Sequence, residues 1–178
     1  MNSLPDLTLR SRLPEDLATL YRWMYAEKNP EWQRWDGPYF PKSNAALSFE
    51  TYAERAVTNP WDADQRIIAL DGQCIGSVSR SEEEPAGGGW FELGIVIFDP
   101  AHWGSGLGRR ALRLWTARTF GETSAHVITL TTWSGNQRLI RAAERSGYRE
   151  CARIPEARTW DGQRWDSVKL AVLRRDWR

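Results

Sequence analysis

Residues 91–112, FELGIVIFDPAHWGSGLGRRAL, hold the clearest chemical signal in the chain. An apolar strand runs into a turn with glycines at 104, 106 and 108, and a helix has to start at once, from about Gly106. Such a turn suits an anion. Glycines let the backbone approach closely, successive amide N–H groups converge, and the helix dipole favours negative charge. Arg109 and Arg110 put full positive charges in the first turn, where they oppose the dipole unless an anion sits nearby. The second chemical group is Glu92, two and four residues before Gly94 and Val96 and therefore on their strand face. A carboxylate inside an otherwise apolar strand is a candidate general base, acting directly or through water. It is equally readable as an edge-facing or ion-paired glutamate.

A tight strand–helix connection with no ligand would also use these glycines. Two nucleotide motifs are excluded. A P-loop needs Gly-x-x-x-x-Gly-Lys-Ser/Thr, and the chain has no Gly-Lys pair. The dinucleotide fingerprint wants its third glycine at 109, where Arg109 stands, and no acidic residue ends the following strand to hold a ribose.

With one substitution, Trp103-Gly104-Ser105-Gly106-Leu107-Gly108 resembles the pyrophosphate loop of the GNAT superfamily of acyl-CoA-dependent N-acetyltransferases, Gln/Arg-x-x-Gly-x-Gly/Ala. Trp103 replaces the leading Gln or Arg. The Trp-Gly pair is similar to the RimJ/RimL-type branch, which acetylates the N-termini of ribosomal proteins, and to its antibiotic- and polyamine-modifying relatives. Asn136 and the helix end Glu144-Arg145-Ser146-Gly147-Tyr148 resemble a second family motif. The resemblance spans about Leu7 to Leu173 and implies acetyl-CoA as co-substrate, with transfer of the acetyl group to a primary amine by direct attack on the thioester. Val96, Ile97 and Phe98 would then offer backbone hydrogen bonds to the pantetheine arm, and Trp103 and Gly104 through Arg109 would wrap the pyrophosphate. Asn136 would lie near the pantetheine or thioester, although it also reads as a plain N-cap, with Gly147 as a left-handed C-cap.

Acetyl transfer to an amine also needs an acid for the departing thiolate. Family members often place a tyrosine where this chain has Ala143, or a serine where it has Leu139, so the acid is left open among Ser134, Tyr25, Tyr39 and Tyr148. A weakly active or inactive CoA-binding relative is therefore the alternative. The acceptor side falls to the first two helices and their loop, with Glu27, Glu31 and Asp36 among Trp32, Trp35 and Tyr39, and Glu82–Glu84 nearby. Carboxylates among aromatics suit a small cationic amine or a protein N-terminus; they also suit a solvated acidic face over core tryptophans.

Periodicity supplies the elements that position these groups. A strand is expected over Leu7–Leu13, then a helix opened by Pro14-Glu15-Asp16 with Leu17, Leu20, Tyr21 and Met24 inward. The Trp-rich loop after it holds about one helical turn. Ser43 is expected to cap a second helix to about Thr58, with Ala46, Phe49, Ala53 and Val57 inward. Asp71-Gly72 and Asp161-Gly162 mark two hairpins. Trp90–Phe98 reads as a central strand covered on both faces. The predicted order is β-α-α-β-β-β-α-β-α-β-β, a single α/β domain over 1–178 with a mostly antiparallel mixed sheet flanked by helices.

Composition bounds the partners. The 178 residues carry 24 basic and 23 acidic side chains, net +1, which argues against a nucleic-acid partner. The sum conceals 9 basic against 16 acidic residues in 1–99, and 15 against 7 in 100–178. Cys74, Cys151, His102 and His126 are too scattered for a zinc cluster or disulfide framework, so no metal is expected. No signal peptide or 18-residue apolar run is apparent, so a cytoplasmic protein with no membrane partner is expected. The C-terminal hairpin and some of the eleven tryptophans could form a homodimer interface.

Overall fold

Two Asp-Gly turns set the frame of the sheet in the computed structural model, which describes residues 5–41 and 47–178. Asp71 and Gly72 have φ of 48° and 82°, Asp161 and Gly162 of 51° and 70°, as type I′ turns require. They join β2 (Gln65–Leu70) to β3 (Gln73–Glu82) and β6 (Arg149–Trp160) to β7 (Gln163–Leu173). With β1 (Leu7–Arg10), β4 (Trp90–Ile97) and β5 (Val127–Trp133), they form one seven-stranded sheet in the order β1-β2-β3-β4-β5-β7-β6. Every pairing is antiparallel except β4 with β5. The α/β class and the order of elements are those read from the sequence.

Alternation along the strands gives the sheet two dissimilar faces. On one, α3 (Leu107–Glu122) and α4 (Gln137–Glu144) cover the main core, where Leu107, Ala111, Leu112 and Trp115 meet Phe91, Leu93, Ile128, Leu130 and Leu170. On the other, α1 (Asp16–Tyr21), the single turn Glu31–Arg34 and α2 (Phe49–Thr58) accompany a smaller core of Leu20, Trp32, Ile67, Ala69 and Phe98. Glu92, Gly94 and Val96 turn toward this second face, so β4 is central but fully apolar on one side only.

Local departures from expectation have local causes. β1 stops at Arg10, three residues before Leu13, because Leu13 turns its amide onto the Asp16 carboxylate and begins the entry to α1. Met24 lies in the wide turn Arg22–Ala26 that follows α1 and is exposed. Ser48 caps α2 by accepting from the Thr51 amide, so Phe49 and Val57 face outward while Ala56 is buried. Ser43 and Ala46 lie outside the described residues.

Candidate active site

β4 and β5 pair over only three positions, Trp90↔Val127, Phe91↔Ile128 and Glu92↔Thr129, and then part. A cleft of about 980 Å³ opens where they separate, lined by Ile95–Ile97 of β4, Thr131 and Thr132 of β5, the start of α3 and the length of α4. Backbone directions decide what β4 offers it. The Phe98 amide donates to the Ile75 carbonyl and the Trp90 carbonyl accepts from Glu83, so even-numbered residues spend their peptide groups on β3. By alternation Ile95 and Ile97 turn theirs to the gap. Of Val96, Ile97 and Phe98, expected to face the pantetheine, Ile97 turns its peptide to the gap, the Phe98 amide is engaged with β3, and the Val96 side chain lines the cleft beside Ile95.

The glycine turn sits at the cleft's mouth. Gly104 and Gly106 have φ of 79° and 85°, a region that L side chains enter only with strain, and nothing lies within 4 Å of where a Cβ would stand at either. Gly106 caps α3 with no side chain accepting from the first turn, which leaves the amides of Leu107, Gly108 and Arg109 for a ligand. The Leu107 side chain is buried in the core, so only its backbone is available. Ser105 donates its hydroxyl to the His102 carbonyl and braces the turn. Arg109 lines the cleft, whereas Arg110 reaches back to the Pro5 carbonyl.

Trp103, the departure from the family loop, is built into the wall. Its indole Nε1 donates to the Ile97 carbonyl at 3.0 Å. The Arg138 guanidinium lies 4.5 Å from the ring centres of both Trp103 and Trp35. Asn136 does two jobs. Its Oδ1 caps α4 through the Leu139 amide, and its Nδ2 donates to the Trp35 carbonyl, which ties the loop to the cleft floor. Arg138, Arg141, Arg145 and Arg158 join Arg109 around the opening, and among the described residues Asp36 is the one carboxylate lining it. That excess of positive charge fits an anionic ligand.

Glu92 stands at the last β4–β5 pair, on the second face and below the cleft lining. Lys169 Nζ lies 3.2 Å from its Oε2, and the Thr129 hydroxyl donates to the same oxygen. Thr129 in turn accepts from the Trp90 indole, over whose ring the Lys169 ammonium sits. The carboxylate is thus ion-paired and held in a fixed orientation.

Of the hydroxyls considered as acids, the structure brings Tyr39 alone to the cleft. Tyr148 is buried behind α3 and bonded to Thr116, and burial pushes its hydroxyl well above the ordinary phenol range. Tyr25 stacks on Tyr21, and Ser134 bonds to the Asp166 amide. Among the acidic residues assigned to an acceptor, Asp36 lines the cleft, whereas Glu27 pairs with Arg22 and Glu82 accepts from the Gly87 and Gly89 amides. Ile95 and Arg158 went unnoticed as lining residues, although the alternation of β4 carried a signal for Ile95.

Residues 6–149 match the family model of the acetyltransferase (GNAT) domain. An aminoglycoside N(6')-acetyltransferase type 1 of Klebsiella pneumoniae is 27% identical over 161 residues, covering 83% of this chain and 76% of that protein. Among solved structures, the spermidine N-acetyltransferase of Vibrio cholerae in complex with CoA and spermine superposes with a TM-score of 0.74 at 21% identity, over 96% of both chains. Aminoglycoside acetyltransferase AAC(6')-Ib in complex with coenzyme A gives 0.66 at 20% identity, again over 96% of both. The divided sheet, the uncapped glycine turn and the matched domain lead to one conclusion: the chain belongs to the GNAT family of acetyl-CoA-dependent N-acetyltransferases.

Proposed function

We propose that the cleft between β4 and β5 binds acetyl-CoA and that the acetyl group passes to a small amine lying on the second face of the sheet. The observation that carries this is the N-terminus of α3, uncapped by any side chain and opening onto an arginine-lined cleft of adequate size. Acetyl-CoA supplies an acetyl group activated as a thioester. The amides of Leu107, Gly108 and Arg109, with Gly104–Gly106 giving close approach, hold the pyrophosphate. Trp103 shapes the wall beside it, and Arg138 and Arg141 add charge. The peptide group of Ile95 and the amide of Ile97 receive the pantetheine arm, and Asn136 fixes the loop over it. Glu92, oriented by Lys169 and Thr129, takes the proton of the attacking amine through water. Tyr39 is the hydroxyl available to protonate the leaving thiolate.

The acceptors named for the relatives, spermidine and aminoglycosides, support a small amine. A protein N-terminus is the second reading, favoured by the Trp103-Gly104 pair. Thiol release from acetyl-CoA, followed over small amines and N-terminal peptides, separates them, with CoA affinity measured calorimetrically alongside. Turnover on small amines is expected, and Glu92→Gln should lower kcat about a hundredfold or more. CoA binding without turnover on any amine would replace the enzyme with a CoA-binding relative, and an unchanged kcat in Glu92→Gln would remove the base.

A further inference from the structure

Arg158 is the one arginine of the cleft that comes from the second face of the sheet. On β6 it stands opposite Trp165 of β7, and its guanidinium lies toward Ser167, away from the core residues Val168 and Leu170. Arg138, Arg141 and Arg145 come instead from α4, and Arg109 from α3. Arg158 therefore enters the cleft from a strand on the far side of the gap from the α3 turn and α4.

Its own charge is unanswered. No carboxylate of the described residues lies within 4.0 Å of it. Nε is buried with no hydrogen-bond partner, and the two Nη contacts, to the Ala157 carbonyl and the Ser167 hydroxyl, are both long at 3.5 Å. The guanidinium lies over Tyr39 at 4.9 Å from the ring centre and over Phe40 at 5.8 Å. Ring faces hold a guanidinium by its plane and leave its edge for hydrogen bonds. Lys169, another cation of the strands on this face, is already paired with Glu92. A planar fork of N–H donors, its Nε buried, matches a carboxylate bidentately, and a cation with no carboxylate partner repels a polycationic acceptor.

We infer that the acceptor is a small amine that carries a carboxylate, an amino-acid-like molecule whose carboxylate is bound by Arg158. This rests on the transferase function proposed above and specifies its substrate class. Arg158 then orients the acceptor and discriminates among amines, while the proton chemistry stays with Glu92.

The test uses matched pairs, each an amino acid and its decarboxylated amine, such as lysine with cadaverine and tryptophan with tryptamine. In the wild-type protein kcat/KM for the carboxylated member is expected to exceed that of its partner by about ten- to a hundredfold, the scale of a charge-assisted hydrogen-bonded pair. In Arg158→Gln the ratio within each pair should collapse toward one through KM, and Arg158→Lys should restore part of it. Equal or better use of the decarboxylated amines by the wild-type protein would overturn the inference, whether or not the variants fold. So would a rise in the CoA dissociation constant of Arg158→Gln that matched its loss of turnover, because Arg158 would then serve the cofactor. An absence of turnover on every amine, despite CoA binding, would instead sink the transferase function on which it depends.

Discussion

Replacing Gly106 by alanine tests whether the α3 turn is an anion cradle, because the perturbation is confined to the backbone. Gly106 sits at φ of 85° with nothing within 4 Å of the added methyl, so no packing is disturbed. An L residue in left-handed space costs about 1–2 kcal/mol. Gly72 provides the control, at φ of 82°, equally uncrowded, in the β2–β3 turn away from the cleft. Gly72→Ala should lose about 1–2 kcal/mol of unfolding free energy in urea and leave CoA binding unchanged. In Gly106→Ala a relaxed turn must be forced back when the ligand binds, and the methyl projects into space the anion needs. Strain alone predicts a rise of about 5- to 30-fold in the CoA dissociation constant, since 1.4 kcal/mol is tenfold, and the methyl adds to it. Calorimetric titration of both variants, alongside urea unfolding, reads both quantities. A Gly106→Ala protein that lost stability as Gly72→Ala does, yet bound CoA with wild-type affinity, would refute the cradle.

Two further outcomes concern stability. Burial alone would raise the Asp16 carboxyl, but the Arg10 guanidinium and the Leu13 amide together hold it below its ordinary value. A depressed carboxylate contributes stability that is present above its unfolded pKa of about 3.9 and lost as pH falls through the folded value. Urea midpoints measured from pH 7 downward should fall along that limb, and Asp16→Asn should flatten it while costing about 1.5–3 kcal/mol at neutral pH; an unchanged acid limb would contradict the assignment. At Gly135, a Cβ would collide with the Trp133 ring. Gly135→Ala should therefore displace that indole from the Trp35 carbonyl at a cost of about 1–3 kcal/mol, seen as a shift of the Trp133 indole N–H resonance together with a lower Tm.

What could be read without coordinates was whatever local chemistry determines. Asp71-Gly72 and Asp161-Gly162 specify their turns because φ is positive at both residues of each. Asn136 announces α4, and Gly147 at φ of 99° ends it before Tyr148. The glycine turn was legible for the same reason. α2 ends at Thr58 as its pattern indicates, but it starts after Ser48, and the expected cap Ser43 lies outside the described residues. Counting charges places Trp35, Asp36 and Tyr39 near an acceptor, but it cannot show that Glu82 braces its own loop or that Glu92 faces Lys169. Arg158 was invisible as a site residue because Tyr39 and Phe40, which hold it, are brought over it from the distant N-terminal loop.

The three-residue ladder between β4 and β5 gives the sheet a mechanical weak line. To one side lie β1 to β4 and to the other β5 to β7, joined by those three pairs and by the core that α3 and α4 cover. A molecule lying lengthwise in the gap would serve as an eighth strand, bonded to Ile95 and Ile97 on one bank and packed against β5 on the other. Occupancy and cooperativity are then linked, and saturating ligand adds stability as the logarithm of its concentration over Kd. Amide exchange should slow in β4 and β5 together when CoA is added, and slow less in the remote β1–β2 edge.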